Sequence, residues 1–157
     1  MGSALISRQQ LLDTLSAHGI RGPEVYLLDA VPLIELAWSD GVVQPQERVL
    51  ILSFVEHLMV KLRAEAGFDV ISHAQALAFV NRLTTTRPGR LEFTVWLQCL
   101  KTLLRAQPQG RARHAAIMEG LNAIGGVAPS PTNESVLWDE NEVGCLSRLE
   151  FDLRLDV

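Results

Sequence analysis

The chain has 157 residues, 48% of them hydrophobic and 20% charged, with a mean hydropathy of +0.16. That length and apolar share suit one folded domain and exclude a disordered chain, which lacks the apolar surface to offset its ordering entropy. Against 14 basic residues stand 18 acidic ones, a net charge of −4 with a pI near 5.5; with no recognisable nucleic-acid module, this argues against a nucleic-acid partner.

The punctuation along the chain is helical almost throughout. Ser7 caps a first helix with Leu11, Leu12 and Leu15 on one side and Gly19 at its close; with its connection it occupies residues 1–22. A second helix opens at Gly22-Pro23, where proline's missing N–H is harmless, and runs to Asp40-Gly41 with a kink expected at Pro32. The third is expected from Pro45 to Glu65, with Gly67 as its stop. Its apolar residues from Val49 to Leu62 cover more than one stripe, which predicts a central helix buried on several sides.

Residues 70–84 read as a fourth helix, and Thr84 to Gly89 as a linker. A fifth spans about 90–106, with Phe93, Trp96, Leu97, Leu100, Leu103 and Leu104 on its core side. A sixth follows at about 111–124, stopped by Gly125-Gly126. Residues 127–138 form the one long loop. The last helix opens with Asp139 as N-cap and Glu142 three residues on, and Val143, Leu146, Leu149 and Leu153 give its 3–4 spacing. The terminal FDLRLDV alternates with the strand period but has no partner strand, so the helix is expected to fray there.

The expected fold is therefore all-α: a single compact antiparallel bundle of six to seven helices over residues 1–157, with the third and fifth central. The expected core is Leu28, Ile34, Trp38, Ile51, Phe54, Leu58, Phe79, Trp96, Leu100, Leu103, Ile117, Leu121, Leu146 and Leu149.

Charge is unevenly spread. Residues 1–80 hold 9 acids against 5 bases, residues 81–130 hold 2 against 7, and residues 131–157 hold 7 against 2. Internal pairing between these segments is the favoured reading; a basic face for an anionic partner is the alternative.

Few residues point to catalysis. There is no Gly-rich phosphate loop, no His-Glu-x-x-His and no nucleophile elbow. His18, His57, His73 and His114 are scattered, and Cys99 among Trp96, Leu97 and Leu100 reads as an inert core thiol. Cys99 and Cys145 make neither a disulfide framework nor a metal set. The stretch MGSALISRQQ has no basic region ahead of an apolar core, and no run of about 20 apolar residues exists. A cytoplasmic location and no membrane span are expected, with peripheral membrane association left open.

The distinctive stretch is residues 33–48, LIELAWSDGVVQPQER. Asp40 closes one helix, Gly41 suits a left-handed turn, and Pro45-Gln46-Glu47-Arg48 opens the next. Glu47 is welcome in a first turn, but Asp40 sits beside free helix-end carbonyls at a cost of about 0.3–1 kcal/mol. Either Arg48 across the turn or a bound cation offsets that cost. Two carboxylates bracketing a turn with carbonyls between them suit a hard divalent cation, calcium or magnesium.

The run from Ala37 to Arg48 resembles the helix-corner signature of the TerB-like, tellurite-resistance-associated helical family. Residues 123–127, then a loop, then Glu140-Asn141-Glu142 look like that family's second, degenerate corner, here without Asp-Gly and with a longer loop. The resemblance covers roughly residues 23–155. It implies an all-helical bundle with an internal helical-hairpin pseudo-repeat, and metal ligands at Asp40, Glu47 and Glu142. It also implies a bacterial role in stress or metal resistance, exercised through protein partners. The expected function is a non-catalytic interaction module. An enzyme with an unrecognised pocket and a purely structural adaptor are the alternatives. Apolar girth at residues 27–38, 49–62 and 91–104 beyond what seven short helices cover points to a homodimer.

Overall fold

Proline and glycine set most of the helix boundaries. The computed structural model describes residues 8–106 and 110–125, which are 84% helical and contain no strand. Six α-helices follow in order: α1 Arg8–Ala17, α2 Val31–Ala37, α3 Pro45–Ala66, α4 His73–Thr85, α5 Arg90–Ala106 and α6 Gly110–Gly125. Short 3-10 helices, Gly22–Ala30 and Trp38–Asp40, flank α2. The expected Ser7 cap, the 127–138 loop and the last helix lie outside the described residues.

The second helix is not one kinked rod. Residues 22–30 wind as a 3-10 helix and the α-helical ladder begins only at Val31, so Pro32 falls in the first turn of α2. First-turn N–H groups have no intrahelical partner, so proline there removes no ladder bond and needs no kink. The 3-10 start is anchored by Glu24. Its carboxylate accepts from the Arg21 backbone N–H at 3.2 Å and from Arg82 Nη1 at 3.0 Å.

α2 is the hub. Val31, Pro32, Leu33, Ile34, Leu36 and Ala37 are all buried, and the half-buried Glu35 is the only polar side chain of the helix. Each fully enclosed Leu, Ile or Val contributes about 1.5–3 kcal/mol. α3, α5 and α6 pack around it. At Gly120 a Cβ would lie 2.8 Å from Leu33 Cδ2, so the glycine lets α6 approach the hub without displacing the Leu33 side chain. Asp29 meets Arg113 and Leu33 meets Gly120, so α6 packs on both the 3-10 helix and α2.

The third helix departs most from expectation. α3 runs where the sequence places it, but only Glu47, Ile51 and Val55 are buried along its 22 residues. Val49 and Val60 are exposed, while Leu50, Phe54, Leu58 and Leu62 are half-buried. It is therefore peripheral rather than central. Its apolar stripe is wide because it faces both the hub and the cleft described below. α5 is as expected, burying Phe93, Trp96, Leu97, Cys99, Leu100 and Leu104.

Two caps complete the frame. Ser72 Oγ accepts from the Gln75 N–H at 3.1 Å, and Gln75 Oε1 accepts from the Ser72 N–H at 3.1 Å, a reciprocal start for α4. Trp38 Nε1 donates to the Leu83 carbonyl at 2.8 Å and Trp96 Nε1 to the His18 carbonyl at 3.2 Å. Each indole thus satisfies a carbonyl at or just beyond the C-terminal end of another helix, α4 and α1, where the helical ladder leaves carbonyls without partners.

Candidate functional site

The corner between α2 and α3 comes first, because the sequence placed its metal ligands there. Gly41 adopts φ 89° and its N–H closes the turn on the Trp38 carbonyl at 2.8 Å. Glu47 is 1% exposed, and its Oε1 accepts from the Gln44 N–H at 2.8 Å. That carboxylate acts as the helix cap of α3, a role its first-turn position favours. Arg48, considered as a partner for Asp40, sends Nη2 to Asn81 Oδ1 on α4. The Asp40 side chain and the whole of Glu142 lie outside the described residues. The Trp38 indole ties this corner to α4.

Titratable groups do not gather into a reactive site. Among the described residues there is no group of three His, Cys, Asp or Glu side chains placed to hold a metal ion. His57 Nδ1 lies 2.8 Å from the Ser53 carbonyl on its own helix. Cys99 is buried, and desolvation of the thiolate pushes its pKa above the ordinary thiol value. A raised pKa makes it a poor nucleophile at neutral pH.

The described residues line a cleft of about 1380 Å³. One wall is α3, presenting Leu50, Phe54, Leu58 and Leu62 with Ser53, His57, Lys61 and Glu65 along the rim. The opposite wall is α6, from Ala112 to Ala123. α1 adds Leu11 and Leu12, the 3-10 helix adds Val25 and Tyr26, and α5 adds Thr102, Leu103 and Ala106. Phe54, Leu58 and Leu103 were expected in the core. All three are only half-buried, and all three line this cleft.

A charged pair sits in its lining. Asp29, 2% exposed, accepts from Arg113 Nε at 2.9 Å through Oδ2 and from Arg113 Nη2 through Oδ1. This two-point geometry fixes α6 against the 3-10 helix and satisfies a carboxylate that could not otherwise stay buried. Together with Arg82 on Glu24, it shows the basic middle of the chain pairing with its acidic first half.

The expectation of internal charge pairing was legible, but the cleft was not. Its one sequence signal was the surplus apolar girth of α3, which was read as evidence for a homodimer. No family model, no curated protein and no solved structure matches the chain. The fold and the site therefore define its class, a helical bundle with an apolar cleft between α3 and α6.

Proposed function

We propose that the protein is a non-catalytic helical interaction module whose cleft docks an amphipathic helical segment of a protein partner. The cleft carries this reading. Small-molecule sites are usually about 300–1,000 Å³ and have a few converging polar groups. This one is larger and elongated, and an unbroken row of α3 leucines and Phe54 lies along it. Apolar side chains at 3–4 spacing on a guest helix fit such a groove, as in other helix-in-groove complexes. An enzymatic alternative needs a nucleophile–base pair, and neither Cys99 nor His57 has one.

The TerB-like resemblance supplies the setting for this reading: a cytoplasmic bacterial module for stress or metal resistance, built on a helical-hairpin pseudo-repeat. In the same reading Asp40, helped by carbonyls of the turn, takes a calcium or magnesium ion weakly. The corner's second copy contributes Glu142.

The test of docking uses a labelled synthetic helix of 17 residues, with leucines at 3–4 spacing and glutamates on its other face. Fluorescence anisotropy with the full chain is expected to show saturable binding, weakened at least tenfold by Phe54→Asp. Leu77→Asp, on the exposed side of α4, leaves it unchanged. Binding that Phe54→Asp does not weaken overturns the reading.

A further inference from the structure

We propose that the helix accepted by the cleft is basic, with lysine or arginine side chains bordering its apolar stripe and meeting Glu65 on the α3 wall and Glu119 on the α6 wall. The inference rests on the docking reading above and adds the chemistry of the partner. It follows from the charges in the lining taken together. Asp29, Glu65 and Glu119 stand there against Lys61 and Arg113. Asp29 and Arg113 are bonded to each other, so their charges cancel. Glu65, Glu119 and Lys61 are exposed, and their side chains form no hydrogen bond or ion pair among the described residues. Two carboxylates therefore remain against one ammonium.

Placement makes those carboxylates part of the groove. Glu119 follows Ala116 by three residues and precedes Ala123 by four, so it shares the α6 face that lines the cleft. Ala112, Ala116, Gly120 and Ala123 on that wall are small, and Arg113 is held by Asp29. Glu119 is thus the long side chain that a guest meets there. Glu65 follows Leu62 by three residues and Leu58 by seven, on the α3 face of the groove. Carboxylates therefore border the apolar lining on both walls, whereas Lys61 offers a cation on the α3 wall alone. Lys101, Arg105 and Arg111 belong to α5 and α6 but lie outside the lining. Exposed charges of this kind add little affinity, which comes from the apolar stripe, but they select between guests. A guest with acids bordering its stripe faces like charge on both walls, and a basic guest faces it only at Lys61.

The test titrates the full chain with two synthetic helices that share one leucine stripe and differ only in the residues bordering it, lysine in one and glutamate in the other. Fluorescence anisotropy at about 0.02 M salt, where screening is weak, is expected to show the lysine helix binding about fivefold more tightly. That preference falls below about twofold in the Glu65→Gln/Glu119→Gln variant, whose circular dichroism checks its fold, and in wild type at about 0.5 M salt. Equal binding of both helices to wild type, tighter binding of the glutamate helix, or a preference that the variant keeps overturns the inference and leaves docking intact. Binding of neither helix overturns the docking reading and this inference with it.

Discussion

α2, VPLIELA, and the middle of α3, VLILSFVEHLMV, are both runs of branched and aromatic apolar residues. Every apolar residue of α2 is buried, while α3 buries only Ile51 and Val55 among its apolar residues. The difference lies in length and neighbours. Seven residues make two turns, which α3, α5 and α6 can surround. Twenty-two residues reach past the bundle, and the outer turns of α3 face the cleft instead of a helix. Apolar density in a sequence therefore measures demand for cover, and it does not say what meets that demand.

The sharpest way to break this comparison is at the pair that ties the hub to the cleft. Arg113→Met leaves Asp29 buried without its partner and is expected to lower unfolding free energy by about 3–5 kcal/mol in urea titrations. Adding Asp29→Leu to it should restore most of the loss. A small effect of Arg113→Met alone would show that the pair does not hold α6 in place. Next comes the direct contrast of the two helices. Leu33→Ala in α2 is expected to cost about 2–5 kcal/mol, as for cavities in enclosed cores. Leu58→Ala in α3, half-buried, should cost about 1–2 kcal/mol. Equal losses would place Leu58 in an enclosed core.

The smallest expected effect concerns the corner that joins the two helices. Asp40→Asn should change stability by about 1 kcal/mol or less, since it removes one unfavourable charge–dipole contact. Titration calorimetry with millimolar calcium or magnesium should show heats for wild type and none for the variant, with affinity on the order of 10⁻⁴–10⁻³ M. No heat with wild type would remove the cation from the corner.

Much of the fold was legible because its signals are local. Pro45, Gly67 and Gly41 placed the ends of α3 and the corner, and Leu28, Ile34, Ile51, Phe79, Leu100, Ile117 and Leu121 were rightly expected inside. The Ser72–Gln75 cap was equally local and was overlooked, although Ser-x-x-Gln is its sequence form. What was not legible depends on partners far apart in the chain. Nothing near Arg113 says that it meets Asp29, 84 residues earlier, or that Arg48 meets Asn81. The 3-10 winding of residues 22–30 was also hidden, since period three and period 3.6 differ little over nine residues. For the site, Glu47 was placed in the right turn, but its burial as a helix cap follows from packing that no spacing records.

The packing of α6 on α2 has a consequence for how the chain acquires its structure. In an up-and-down bundle each new helix closes on the one before it, and most contacts are local. Here the hub is formed early in the chain but is closed by the last of the described helices, three helices later. Such distant closure slows folding relative to helical proteins dominated by local contacts. During synthesis, a segment with a single polar side chain waits for some eighty residues before α6 arrives to complete its cover, and at typical elongation rates that wait lasts about 4–16 s. Throughout that interval the α6-facing side of α2 lacks its cover, an apolar surface of the kind that chaperones hold.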